Sequence, residues 1–321
     1  MPGALPIRRK PLESCLGGSI PRVGGGSEER RGTLSTPAPE EEKYTPGLDG
    51  QRSAHERAPT GAREDPAPLP PRPWQVWRPV WRRRETLGGR WVACASIAAL
   101  ILVNGGGYLL VLHVARWRGI TAWDPGTWID DAIPALPWTI VVYLSLFAYF
   151  AAPLACPPRG DRGRLQTLLC IQALVGICAV SFAVFLLLPA QIHVRETMVA
   201  ALPGEAGWIR ALYRFQYFMD QPWNSWPSLH VSQTIVLAFC AQYWSGEVRE
   251  RRAWLPRGRA RTICLVAMWL AWAALAVSIL TTKQHFAFDL LTGSLLGALV
   301  WVAYLRPALR AAEESDAPAW D

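Results

Sequence analysis

Histidine is scarce in this chain: His55, His113, His193, His230 and His285 are the five among 321 residues. They are too few and too dispersed for a dedicated metal site, so a soluble metal hydrolase is set aside and neither metal nor cofactor is expected. The seven cysteines (Cys15, Cys94, Cys156, Cys170, Cys178, Cys240 and Cys264) include no CxxC pair with a matching partner. Most lie in or beside apolar runs, where a thiol serves as a small buried hydrophobe. Met1–Lys10 is not followed by an apolar core, so no secretory leader is expected. A basic face on a soluble fold is missing too. The net charge is +8, yet the arginines flank apolar runs instead of forming one stripe. Nucleic acid is therefore not an expected partner.

What is present is apolar length, unevenly placed. Residues 1–90 are rich in Pro, Gly, Arg and Glu, whereas residues 91–305 are dominated by Ala, Leu, Val, Ile and Trp. Four segments follow: a disordered tail at 1–73, a juxtamembrane segment at 74–90, a membrane domain at 91–305, and a short C-terminal tail at 306–321. Runs such as Gly24-Gly25-Gly26 and Pro66-Ala67-Pro68 cannot bury enough apolar surface to order a backbone. Trp74, Trp77 and Trp81 with Arg78, Arg82, Arg83 and Arg84 suit the headgroup layer.

A helix crossing the hydrocarbon needs roughly 20 apolar residues. Six such spans are expected, near 91–114, 137–156, 165–188, 228–244, 262–281 and 286–305. The fold class is thus all-α, a six-helix membrane bundle behind a disordered tail. Asn104-Gly105-Gly106-Gly107 interrupts the first span and permits close helix contact or a kink. In the loop at 189–227, Trp208, Tyr213, Phe215, Tyr217, Phe218, Trp223 and Trp226 predict short helices lying on the membrane surface.

Loop charges orient the bundle. With the N-terminus inside, the inner segments hold Arg78, Arg82, Arg83, Arg84, Arg90, Arg159, Arg162, Arg164, six arginines from Arg249 to Arg261, Arg306 and Arg310. The outer segments hold Arg116, Arg118, Arg195, Arg210, Arg214 and Lys283, beside Asp124, Asp130, Asp131 and Asp220. The bias predicts both termini in the cytoplasm.

Two histidines sit where a loop turns into a span. In Trp226-Pro227-Ser228-Leu229-His230-Val231, Pro227 suits the first helical position, and Ser225 and Ser228 lie near that start. Unpaired N–H groups at a helix N-terminus attract anions such as phosphate. Alone, this segment fits either a proton-transferring His230 or a simple helix cap. In Lys283-Gln284-His285-Phe286-Ala287-Phe288-Asp289, His285 and Asp289 lie four apart on one helical face. Asp289 can accept the proton of one ring nitrogen and leave the other free to attack. Alone, this fits either a catalytic pair or a structural ion pair. The topology favours chemistry, because the fourth and sixth spans both run inward and bring His230 and His285 to the same face. His113 ends the first span and needs no role. His193, in a loop, is either a substrate contact or incidental.

Asn224-Ser225-Trp226-Pro227-Ser228-Leu229-His230-Val231 together with Thr282-Lys283-Gln284-His285, Asp289 and Gly293 resembles the type 2 phosphatidic acid phosphatase superfamily. Within it, the residues look most like the branch of inositol-phosphorylceramide synthases and related inositolphosphotransferases. The resemblance covers about residues 90–305. It implies that His285 attacks phosphorus and forms a phosphohistidine, that Asp289 orients it, and that His230 protonates the leaving alkoxide. Ser228 would help hold the phosphate oxygens. The family works without metal and uses cationic side chains for the charge on phosphate. The usual first signature, a Lys followed later by Arg-Pro, is absent here. Arg195 and Arg214 are the candidate replacements. Ser278 is followed by Ile279 where an Arg is usual, and Lys283 is the candidate for that charge.

The expected function is a membrane lipid phosphatase or phosphotransferase, metal-independent, with its site on the extracytoplasmic face. Its substrate is a membrane lipid phosphate, and its acceptor is water or an alcohol. The alternative is a non-catalytic lipid-binding or transport relative with the same spans. A transporter more often carries polar groups near mid-span, where only Asn104 is conspicuous.

Overall fold

In a bilayer no water satisfies the backbone, so long apolar runs must close their own hydrogen bonds as helices. The computed structural model describes residues 72–223, 225–247 and 258–314, all within one unit, Arg63–Asp321. The tail expected to be disordered lies outside the described residues up to Pro71, as do Asn224 and most of the arginine-rich loop. Every element among the described residues is helical. The seven principal helices are α1 (Trp91–Arg118), α2 (Pro137–Ala155), α3 (Asp161–Leu187), α4 (Gly207–Met219), α5 (Leu229–Glu247), α6 (Arg259–Thr281) and α7 (Ala287–Glu314).

Five of these, α1, α2, α3, α6 and α7, are long and apolar enough to cross a membrane. Such helices mark a multi-pass membrane protein. The expected fourth span, α5, is a 19-residue helix but does not join those five. The reason lies in its place. It packs among α2, α3, α6 and α7, so it needs little lipid-compatible surface. Ser232, Gln233 and Thr234 are buried on it and lower its apolarity. Gln233 Nε2 donates to Asn104 Oδ1 at 2.9 Å, and the Cys178 thiol donates to the same oxygen at 2.7 Å. These partners satisfy the mid-span Asn104 inside the bundle. The glycine-rich stretch around it forms a π-helical turn, Ile101–Gly107.

Helix α3 is central, with Leu165, Leu168, Leu169, Leu174 and Ile177 fully buried against neighbouring helices. In contrast, Leu102, Leu110, Ile263, Leu270, Leu299 and Val302 are exposed. A surface of that kind suits hydrocarbon and would drive association in water. The Trp/Arg segment departs from a simple surface layer. Trp77 and Trp81 are buried in the main core cluster, because short helices at Gln75–Trp77 and Arg78–Arg82 fold them inward. Arg84 pairs with Asp161 at 2.7 Å, and Arg164 pairs with Glu85 and Asp161.

The contact that matters most for the site is α7 against α5. A Cβ added at Gly293 would lie 2.7 Å from the Ser228 carbonyl oxygen and 3.2 Å from its nitrogen. Only a glycine lets the two backbones approach so closely, as in small-residue contacts between membrane helices. The closeness also lets the Ser228 N–H donate to the Asp289 carbonyl at 3.3 Å. Gly293→Ala is therefore expected to push α7 away at a cost of about 1–3 kcal/mol. Thermal unfolding in detergent checks this, and an unchanged midpoint would count against the close fit.

Candidate active site

Helix α6 ends at Thr281, and the chain must reverse before α7. Thr282 Oγ1 donates to the Ser278 carbonyl at 2.6 Å, and the amides of Gln284 and His285 both reach back to Ile279 O, at 2.9 and 3.3 Å. Lys283 takes φ +56, a left-handed conformation that favours glycine and costs an ordinary residue about 1 kcal/mol. Its ammonium holds it there by donating to the carbonyls of Asp130 and Ile133, each at 2.6 Å. Burial holds its pKa below the usual lysine value, against the pull of Asp130 and Asp131. The cation expected to face phosphate thus already serves two backbone oxygens.

The turn delivers His285 to the mouth of α7. Its Nδ1 lies 3.1 Å from Asp289 Oδ2 and 3.0 Å from the Ser225 carbonyl. Asp289 is fully buried and also accepts from Ser225 Oγ, at 2.9 and 3.0 Å, and from the Phe286 amide at 2.9 Å. Three donors thus surround one carboxylate, as a buried charge requires. With Asp289 ionised, Nδ1 of His285 carries its proton and Nε2 is left with a lone pair. That nitrogen faces His230 Nδ1 at 3.1 Å. The two histidines come together across 55 positions of sequence, ring centroids 5.3 Å apart.

His230 lies in the first turn of α5, which begins at Leu229; Pro227, expected as its first residue, precedes it in the loop. Its second ring nitrogen, Nε2, lies 2.8 Å from the Tyr143 hydroxyl on α2. Gln216 on α4 donates to that hydroxyl at 2.9 Å and contacts Asp220 Oδ2 at 3.3 Å. Asp220 in turn binds Arg195 Nη2 at 2.6 Å and Tyr108 Oη at 2.5 Å. A continuous polar chain therefore runs from Arg195 through Asp220, Gln216, Tyr143, His230 and His285 to Asp289.

Arg195, expected as a free phosphate clamp, is buried and pairs with Asp220. Burial disfavours charge on both, yet the pair wins. Asp220 stays below the usual carboxylate pKa and Arg195 above its usual value. A depressed carboxylate stabilises the fold above its unfolded pKa and loses that contribution as pH falls through the folded one. The pair is thus at full strength at neutral pH. Arg195→Leu leaves Asp220 buried without its cation and is expected to destabilise by about 3–5 kcal/mol. The double variant Arg195→Leu/Asp220→Leu recovers part of the loss. Unfolding midpoints in detergent read both, and a single variant within about 2 °C of wild type would contradict the pairing.

Arg214 is exposed on α4, on the face opposite the buried Tyr213 and Gln216, so it does not join the network. Ser228 is fully buried beside Asp289, and its hydroxyl has no hydrogen-bond partner among the described residues. An orphaned donor at a helix start suits an anion. His193 gains neighbours the sequence did not reveal: its Nδ1 lies 3.7 Å from Asp124, and its ring packs on Phe286 at 5.1 Å. His113 is exposed and bonds the Leu109 carbonyl at 2.7 Å in its own helix. Tyr143, Gln216 and Asp220 were not foreseen. A tyrosine inside an apolar span was the one available signal, since its hydroxyl must find a partner there.

A cavity of about 140 Å³ reaches His230 between α1, α2, α4 and α5. Leu146, Phe147, Phe150, Met219 and Leu229 give it an apolar wall, with Tyr108 and Gln216 at the polar side. A second cavity, of about 320 Å³, lies by Asp124, Thr127, Asp131 and His193.

Among known families, residues 164–311 match the PAP2 superfamily. The match includes α4, α5 and α6, most of α3 and α7, and both paired histidines, and it leaves α1 and α2 outside. It supports the superfamily expected from the motifs and a phosphoric-ester hydrolase as the enzyme class. No curated protein and no solved structure matches the chain.

Proposed function

We propose that this membrane protein cleaves or transfers a lipid phosphate through a phosphohistidine on His285. One observation carries the reading: His285 is held through Nδ1 by Asp289, while its free Nε2 meets His230 Nδ1 at 3.1 Å. Nucleophile, orienting carboxylate and proton donor thus stand in line. The PAP2 match supports the same class, and the apolar wall beside His230 suits a lipid chain.

The substrate phosphate enters between the two rings. The Nε2 lone pair of His285 attacks phosphorus, and the bond to the leaving oxygen breaks. His230, made an imidazolium by the bound phosphate anion, gives its Nδ1 proton to that oxygen and releases a lipid alcohol. Asp289 stabilises the charge on the His285 ring. Water then gives a proton back to His230 Nδ1 as its oxygen attacks phosphorus. The P–N bond breaks, its electron pair returns to His285, and inorganic phosphate leaves. An alcohol in place of water gives transfer. The Lys283-Gln284-His285 and Asn224-to-His230 details favour the inositolphosphotransferase-like branch. Ser228 and the start of α5 hold phosphate oxygens. The arginine bias of the loops supports both termini in the cytoplasm and the histidines on the opposite face. The segments 1–73, 74–90, 91–305 and 306–321 complete this reading.

A second reading, a non-catalytic lipid-binding or transport relative, has one observation in its favour. Arg195 and Lys283 are engaged elsewhere and Arg214 points away, so these three candidates do not assemble a cationic clamp among the described residues. One experiment separates the two. The protein in detergent with EDTA is given radiolabelled phosphatidic acid and, separately, a polyprenyl diphosphate. Phosphate release by wild type and none by His285→Ala supports metal-independent histidine catalysis. Release from neither lipid, with or without an added alcohol acceptor, favours the non-catalytic relative.

A further inference from the structure

We infer that Tyr143 is a positioning residue for proton transfer, fixing which nitrogen of His230 faces the reacting phosphate. The inference rests on His230 acting as the proton donor of the proposed reaction. The residue lies on α2, outside the segment that matches the superfamily, and no motif includes it.

An imidazole offers two nitrogens, and a proton donor works only if the right one is presented. His230 Nε2 is taken by the Tyr143 hydroxyl at 2.8 Å, and Nδ1 is left for His285 at 3.1 Å. Rotating the ring would forfeit both contacts. Tyr143 is itself fully buried and held in place, since Gln216 donates to its oxygen at 2.9 Å. Gln216 is braced by Asp220, which the buried Arg195 grips at 2.6 Å. The hydroxyl suits both protonation states of its partner. It donates to a bare Nε2. When His230 is an imidazolium, the phenolic oxygen accepts the Nε2 proton on its second lone pair. After Nδ1 gives its proton to the leaving oxygen, the remaining proton stays on Nε2 against Tyr143. The bare Nδ1 then faces the incoming water and takes its proton.

A residue that serves the proton donor matters most when the leaving group needs a proton. Tyr143→Phe keeps the ring and removes only the hydroxyl. Phosphatidic acid, whose diacylglycerol leaves as an alkoxide that needs a proton, is compared with an alkyl-substituted 4-nitrophenyl phosphate, whose phenolate leaves unaided. Full-length Tyr143→Phe is expected to lose about tenfold or more in kcat/KM, which reports the leaving-group step alone, on phosphatidic acid and under about threefold on the aryl phosphate. His230→Ala should show the same split more strongly. Equal losses on both substrates, or none, overturn the inference. Activity retained by His285→Ala sinks the parent reading instead, so the two failures are distinct.

A second measurement needs no turnover. In protein labelled with ¹⁵N-histidine at alkaline pH, Tyr143→Phe is expected to shift the His230 Nε2 resonance, which His230→Ala identifies. A resonance that stays in place means no hydrogen bond, and the inference falls whatever the activity.

Discussion

His285→Ala is expected to lower phosphate release from a lipid phosphate by about 10⁴-fold or more, the scale seen when a covalent nucleophile is removed. The reason is geometric. His285 turns Nε2 toward His230 Nδ1, and its other nitrogen is spent on Asp289. Alanine removes the atom that would bond to phosphorus, and nothing beside it can substitute. His230 would have to act as both nucleophile and acid with one nitrogen turned to Tyr143. Rapid quench with a phosphate-labelled substrate adds an independent check. Wild type should carry a label stable in base and lost in acid, as a phosphoramidate is, and His285→Ala should carry none. A variant that keeps a tenth of the wild-type rate would end the phosphohistidine mechanism.

Asp289→Asn is expected to cost about 10³-fold or more while the protein still folds. Three donors converge on this carboxylate: His285 Nδ1–H, Ser225 Oγ–H and the Phe286 amide. An amide keeps the shape but replaces one acceptor with a donor. If the NH₂ turns to His285, the ring must shift its proton to Nε2, and the attacking lone pair is lost. If it turns away, it meets a hydroxyl that can rotate, but the negative charge that stabilises the ring during attack is still gone. Initial rates at saturating substrate, beside a melting curve, separate loss of chemistry from loss of fold. A rate within tenfold of wild type would mean that Asp289 serves structure alone.

Much of the site was legible because its spacing is local. His285 and Asp289 lie one helical turn apart, so a sequence places them on one face. The helical runs were legible for the same reason. What sequence hides is who sits opposite. Arg195 reads as a free cation in a loop, but Asp220, 25 residues on, comes back to claim it. Lys283 reads as a phosphate ligand, but the carbonyls it caps are about 150 residues away. Tyr143 meets His230 across 87 residues, a pairing set by helix packing and not by any local pattern. Helix α5 shows the limit of hydropathy. A helix enclosed by its neighbours is free to be polar, so α5 falls below the apolarity of the five candidate spans.

The seam where Gly293 lies against Ser228 also bears on how the protein is made. The ribosome delivers His230 first and His285 55 residues later, followed by the helix that seats it. Until that last helix docks, the newborn chain holds His230 without His285 and Asp289 beside it. On the proposed mechanism, a half-synthesised chain in the bilayer is therefore harmless to the lipids that receive it. On that mechanism reactivity begins only when assembly is complete, and a defect that stalls the final helix is expected to silence the protein instead of leaving it partly active.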